Sequence, residues 1–315
     1  MPGFLPKSVR RLRRRLQALD RLGKLDELDR LAKLDELDRL DGRVDALVEA
    51  IGRVEARQLE GIRGPLQDHE FRVYSHSGED GILQFLIANI ETPSKTLVEF
   101  GVEDYREANT RYLVANRGWM GLVMDGDPGN IKRIRSSPLY WNSNLRAEDA
   151  FVTRENVNTL LTSFGFVGDL GLLSVDVDGN DYWVFDAITV VRPRIAVVEY
   201  NHRFGPTRSV TIPYDPSFVR RRDDPSWLIC GASLAAIVKA AQRKGMSLVG
   251  CNSFGNNAFL VRDDVKPAWM PALTAEEGFV AGKFRESMVV AGEARPLSDD
   301  EEQALIGSAA LVEIE

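Results

Sequence analysis

Short apolar runs with an acid at or near their ends recur along this chain: TLVEFGV at 96–102, GLVMDGD at 121–127, LGLLSVDVD at 170–178 and RIAVVEYN at 194–201. Runs of this length, rich in Val, Leu and Ile, suit buried strands. Between them lie helical patterns: HSGEDGILQFLIANI (76–90), EANTRYLVANRG (107–118), RENVNTLLTSFG (154–165) and DYWVFDAIT (181–189). NLRAEDAFV (144–152) reads as a further strand. SLAAIVKAAQRKG (233–245) reads as a helix with Ser233 at its N-cap. MSLVGCN (246–252) and NAFLVRD (257–263) read as the last two strands. Strand and helix in alternation, with apolar strands, specify an α/β doubly wound fold: a largely parallel sheet covered on both faces. In such sheets ligands bind beyond the carboxyl ends of the strands, at the switch point of strand order. The chemistry is therefore expected just after each strand.

Acids stand at five consecutive strand ends: Glu99, Asp125, Glu148 with Asp149, Asp176 with Asp178, and Glu199, which is followed by Asn201 and His202. An acid at the end of the second strand, about 20 residues after a glycine turn, is how doubly wound folds hold ribose hydroxyls. Asp125 lies 24 residues after Gly101. The dinucleotide fingerprint is missing, because VEFGVEDYREAN has one glycine where a pyrophosphate needs several. Glu99, Glu103 and Asp104 also make that loop repel phosphates. The pattern suits a ligand with ribose and a positive centre but no phosphate, as in S-adenosylmethionine. The structural alternative for Asp125 is a turn cap, since DGD and DPG are turn-like.

Asp176, Asp178 and Asp181 sit within six residues, and like charges this close push one pKa up. Asp181 reads as the N-cap of the helix beginning at Tyr182, and Ser77 with Asp80 as the caps of the helix that follows them. Residues 203–228 form a long connection carrying Phe204, Tyr214, Phe218, Trp227 and several arginines. A connection of that length suits a substrate lid, or an ordinary surface excursion packed by its aromatics.

The chain has 315 residues, which divide as an N-terminal segment, 1–65, and a globular part, 66–315, with its core at about 70–263 and an acidic tail after it. A net charge of −7 argues against general nucleic-acid binding. Two cysteines offer no disulfide framework and no metal spacing, so a reducing, cytoplasmic setting is expected. The run KSVRRLRRR at 7–15 holds six basic side chains. It is either a solvated face or a peripheral contact with anionic lipid at the inner face of the membrane. Leucines recur every third residue from Leu19 to Leu40, a stripe that winds around a helix. From Leu37 the spacing becomes Leu37, Leu40, Val44, Leu47, Ile51, Val54, which is the heptad seam of a coiled coil. A long helix that makes a homo-oligomer is expected, with a lone spacer helix as the alternative.

The segments SGEDGIL (77–83), VEFGVEDYREANT (98–110), GLVMDGDPGNI (121–131), SVDVDGNDYWV (174–184), VVEYN (197–201), GASLAAIVKAAQRKGMSLVG (231–250) and NNAFLVR (256–262), taken in order, resemble class I S-adenosylmethionine-dependent methyltransferases. The FkbM-type branch and related bacterial sugar-cluster enzymes are the most similar. The resemblance covers about residues 70–263. It implies a seven-stranded sheet whose last strand, at NAFLVRD, runs antiparallel. It implies that Glu99 and Gly101 shape the methionine pocket, that Asp125 takes the ribose, and that Glu148 or Asp149 faces the adenine. The acceptor it implies is a hydroxyl of a saccharide, polysaccharide or glycosylated natural product.

Methyl transfer to a hydroxyl needs either a general base or a cation that lowers the hydroxyl pKa. The residues placed to do this are Asp176, Asp178, Glu199 and His202 for catalysis. For Mg²⁺ or another divalent cation they are Asp176, Asp178, Glu199 and Asn201. The rival reading is a coiled-coil assembly protein whose methyltransferase-like domain does not catalyse, as the glycine-poor first loop would allow.

Overall fold

The computed structural model describes residues 33, 36, 39–40, 42–59, 61–224, 226–283, 287–290 and 293–315. The chain divides into two compact units, Met1–Arg53 and Val54–Glu315. Residues 39–40 and 42–58 are helical (α1). The basic run at 7–15, the leucines from Leu19 to Leu34, and Leu37 lie outside the described residues. No helix among the described residues is long and apolar enough to cross a membrane.

After a 3₁₀ turn, Leu66–His69, the second unit alternates helix and strand: α2 (Glu79–Asn89), β1 (Thr96–Phe100), α3 (Arg111–Arg117), β2 (Met120–Asp125), α4 (Pro128–Arg135), α5 (Pro138–Asn142), β3 (Leu145–Asp149), α6 (Val157–Ser163), β4 (Gly168–Val175), α7 (Asp181–Ala187) and β5 (Val191–Glu199). A 3₁₀ turn at His202–Phe204 opens the long connection, which holds β6 (Val210–Thr211) and α8 (Arg220–Asp223). Then come α9 (Leu234–Arg243), β7 (Met246–Cys251) and β8 (Asn257–Arg262). The tail folds as α10 (Ala275–Gly278), the hairpin strands β9 (Ser287–Val290) and β10 (Glu293–Pro296), α11 (Asp299–Ser308) and β11 (Val312–Glu313).

The strand order is β3-β2-β1-β4-β5-β8-β7. The first five strands pair in parallel, and β8 runs antiparallel to both β5 and β7. This is the expected seven-stranded methyltransferase sheet, with the reversed strand at Asn257–Arg262. Order reverses between β1 and β4, so the switch point lies beyond Phe100 and Val175. Alternate residues of each strand feed two apolar cores, one on each face. Val98, Leu122, Leu173 and Ala196 enter one; Leu97, Val123, Leu172 and Ile195 enter the other. Ser233 caps α9 as expected, accepting from the Ala236 N–H.

Two expected caps are corrected. Gly78, in the left-handed region, takes the N-cap of α2 in place of Ser77. The Asp80 carboxylate reaches back to accept the N–H groups of Val73, Tyr74 and Ser75, so it organises the chain before the helix. Asp181 is the first residue of α7, behind Asn180. Its carboxylate accepts from the Val177 and Gly179 N–H groups at 2.7 and 2.9 Å. It therefore ties down the loop after β4 rather than the first turn of the helix.

Candidate active site

The site begins with one glycine. Gly101 ends β1 at φ +74°, and a Cβ there would stand 1.5 Å from the Asp176 carbonyl oxygen. Only glycine lets the tips of β1 and β4 approach this closely. The space beyond them is a cavity of about 650 Å³, lined by Gly101, Asp125, Phe151, Asp176, Asp178 and Phe218 among others. The sheet therefore opens where the strand order predicts.

Asp125 lies on this cavity and is almost buried. Its Oδ1 accepts from Asp127 N–H and Asn130 Nδ2, and its Oδ2 from Glu103 N–H, all at 2.8 Å. It thus organises the turn after β2 and the glycine-poor loop after β1 together. Asp127 accepts from Gly129 N–H at the start of α4. Both readings of Asp125, turn residue and cavity residue, meet in one side chain, because Oδ1 is filled by two turn donors while Oδ2, with one, keeps acceptor capacity.

Three expected cofactor contacts are displaced. Glu99 does not line the cavity. It is buried beside α3, accepting from Asn109 N–H, Thr110 N–H and Thr110 Oγ1, and burial pushes its carboxyl up to about 7 despite those bonds. Glu148 pairs with Arg135 at 2.8 Å on the α4 side of the sheet. Asp149 is exposed and paired in register with Asp125. Neither lines the cavity; the next three residues, Ala150, Phe151 and Val152, do. Phe151 is among the lining residues that sequence reasoning missed. Phe218 comes from the long connection, and its place follows from Gly179: a Cβ there would lie 2.3 Å from the Phe218 ring.

Asp176, Asp178 and Glu199 converge as expected, each offering a carboxylate oxygen within 4.8 Å of the others. Burial and the charges of Glu199, Asp178 and Asp181 raise the Asp176 pKa well above the usual carboxylate range. Burial likewise pushes Asp181 up to about 6, opposed by its two backbone donors. A second, smaller cavity of about 160 Å³ lies beside the triad, lined by His76, Glu199, His202, Arg220, Cys230 and Phe254 among others. Arg220 lines both cavities, donating to Asp178 Oδ1 at 3.1 Å and to the Trp227 carbonyl at 2.8 Å. His202 faces the smaller cavity, and burial pushes its imidazole down to about 4. His76, to which the sequence assigned no role, stands on the same cavity in an edge-on ring contact with Phe254.

Asn201, the fourth residue expected at the cation, is bonded into the long connection. Its Nδ2 donates to the Leu228 and Cys230 carbonyls at 2.7 and 3.0 Å, and its Oδ1 accepts from Arg203 N–H. The side chain is committed to folding the long connection back onto β5.

A cavity at the β1/β4 switch point, an acid at the end of β2 and a carboxylate cluster at the tip of β4 suit a ribose-bearing ligand with a positive centre. Residues 76–222 match the family described as methyltransferase FkbM domain. The match is confined to that segment, and the enzyme it supports is an S-adenosylmethionine-dependent methyltransferase. The matched segment holds β1 to β5, whose ends form the cavity, and the sheet continues beyond it through β7 and β8. Similar solved structures include the N-terminal domain of EvdMO1 in the presence of SAH and D-fucose, at 14% identity over 67% of this chain and 94% of that one, TM-score 0.38. Another is PKMT2 from Rickettsia typhi in complex with AdoHcy, at 10% identity over 56% and 51% of the two chains, TM-score 0.38. A third is an O-methyltransferase from Bacillus cereus in complex with SAH, at 15% identity over 53% and 72%, TM-score 0.32. No curated protein matches this chain.

Proposed function

We propose that this methyltransferase acts on a hydroxyl of a saccharide, polysaccharide or glycosylated natural product, binding its cofactor in the larger cavity and the acceptor in the smaller. One observation carries the reading: the carboxylate triad borders both cavities. Asp176 and Asp178 line the larger, and Glu199 lines the smaller. When bound, S-adenosylmethionine supplies an electrophilic methyl on a sulfonium. Gly101 leaves the space at the β1 tip, Asp125 accepts from ribose hydroxyls, and Phe151 and Phe218 offer ring faces to the base. The negative triad faces the positive end of the ligand. Across it, Glu199 stands where an acceptor hydroxyl would enter, and Asp176 is the group suited to take its proton, its raised pKa making it a stronger base than an ordinary aspartate. His202 is the weaker candidate for that proton, because burial holds its pKa near 4.

Asp176, Asp178 and Glu199 are hard oxygen donors at a spacing that fits a divalent cation such as Mg²⁺, and none of the hydrogen bonds among the described residues reaches the Asp176 carboxylate. Held there, such a cation would lower the pKa of the acceptor hydroxyl. We also take the chain to work as a homo-oligomer joined through α1.

The test is transfer of labelled methyl from S-adenosylmethionine to a panel of free and nucleotide-linked sugars and polysaccharide ends. The expected product is a methyl ether. A methyl on nitrogen or carbon, or transfer only to proteins, would overturn the acceptor class. Full activity in EDTA would remove the cation and leave the carboxylates as base.

A further inference from the structure

We infer that α1 pairs with α1 of a second copy of this chain as a parallel, two-stranded coiled coil. This deepens the oligomer reading above and is independent of the reaction. Leu40, Val44, Leu47, Ile51 and Val54 are each between 46% and 64% exposed, and they supply five of the large apolar side chains that the described residues leave in solvent. They follow the spacing of alternating fours and threes, so they lie on one narrow stripe rather than the broad face a helix turns toward a globular core. A narrow seam of that kind fits between the side chains of one other helix. Gly52 and Ala56, off the seam, are already buried, and the i,i+4 pair Glu49–Arg53 occupies the opposite side.

The residue types choose the partner. With Leu40, Leu47 and Val54 at the d positions, Leu37, Val44 and Ile51 fall at a; two of the three a positions are β-branched and two of the three d positions are leucine, the combination that favours two parallel strands. A parallel, in-register pair places each residue against its own copy, so the same short sequence is complementary to itself. The seam starts after Lys33, which takes a d position, and stops at Gln58, which takes the next a, so register has little freedom to slide.

Light scattering on the eluting full-length protein tests the stoichiometry: a mass about twice 35.2 kDa is expected. Leu47→Asp with Ile51→Asp should halve that mass while leaving the circular dichroism of the domain and its affinity for S-adenosylhomocysteine unchanged. Leu40→Cys and Val54→Cys, each alone, test orientation. Each should cross-link to its own copy under mild oxidation, against a wild-type background whose two cysteines, Cys230 and Cys251, are buried. A monomeric wild type overturns the oligomer reading as a whole. A trimer or tetramer, or cross-linking only when the two cysteine variants are mixed, overturns the parallel dimer alone.

Discussion

Asp176 shares a 4.8 Å neighbourhood with Asp178 and Glu199, and its pKa is raised by burial and by those charges. An acid whose pKa is raised on folding binds its proton more tightly in the folded state. Its contribution to stability is therefore complete below the unfolded value, near 3.8, and is lost as pH rises toward the folded value. Asp176→Asn removes that loss. The variant should melt higher than wild type at pH 8, with the gain shrinking toward pH 4, as scanning calorimetry would read. It should transfer methyl about 10²- to 10⁴-fold more slowly, the usual cost of losing a general base. Equal melting at both pH values would show that the repulsion is relieved by something already bound. Because Asp176 must be ionised to accept a proton, kcat should climb with pH above the ordinary carboxylate range. Asp178→Asn, by removing a neighbouring negative charge, should move that limb to lower pH, and His202→Gln should leave it in place. A limb near pH 4 that vanishes in His202→Gln would instead make the imidazole the base. Gly101→Ala is the simplest geometric test: a methyl 1.5 Å from the Asp176 carbonyl, at φ +74°, should abolish S-adenosylhomocysteine binding in calorimetry and lower the melting temperature.

At the scale of elements, the strands were legible because burial on both faces makes them apolar throughout, and the reversed strand at Asn257–Arg262 stands where the family resemblance implied it. The acids at strand ends were legible as a set but not one by one. A strand end turns alternate side chains to opposite faces, so Glu148 meets Arg135 beside α4, and Phe151, two residues past the strand end, lines the cavity. Periodicity cannot reveal which face a loop residue takes after the strand stops. Phe151→Ala should weaken S-adenosylhomocysteine binding about tenfold, as loss of one stacking aromatic does, while Glu148→Ala should change it less than twofold; the reverse ranking in calorimetry would restore Glu148 to the site. Asn201 was illegible for a different reason. Its position directly after β5 suits a ligand, but its bonds to the Leu228 and Cys230 carbonyls close a loop of more than twenty residues, a partner choice that local sequence does not carry. Asn201→Ala should destabilise the fold by about 1–3 kcal/mol, the cost of leaving buried carbonyls unpaired.

For the molecule as a whole, the acidic tail is more than a solvated extension. β11 pairs antiparallel with β6, placing Val312 opposite Thr211 and Glu313 opposite Val210. Ile314 is buried in the core that also holds Ala232 and Leu234, and its carbonyl accepts from Ser209 Oγ at 2.9 Å and Lys239 Nζ at 2.6 Å. Farther back, Glu302 of α11 stands 3.5 Å from Arg203, next to His202 on the smaller cavity. Residues 302–314 thus hold the connection that walls the proposed acceptor cavity, and none of them lines the larger one. Their loss should separate the two binding events. Removal of residues 309–315 exposes Ile314's side of the core, which costs about 2 kcal/mol for one aliphatic side chain. It also breaks the β6–β11 pairing, so the melting temperature should fall by several degrees. S-adenosylhomocysteine affinity should stay within twofold of wild type, while KM for the acceptor rises, because only the acceptor cavity loses its support. Calorimetry and steady-state kinetics on the same preparation decide it. An unchanged melting temperature would make the tail dispensable, and a parallel loss of cofactor affinity would place its effect on the sheet rather than on the acceptor wall.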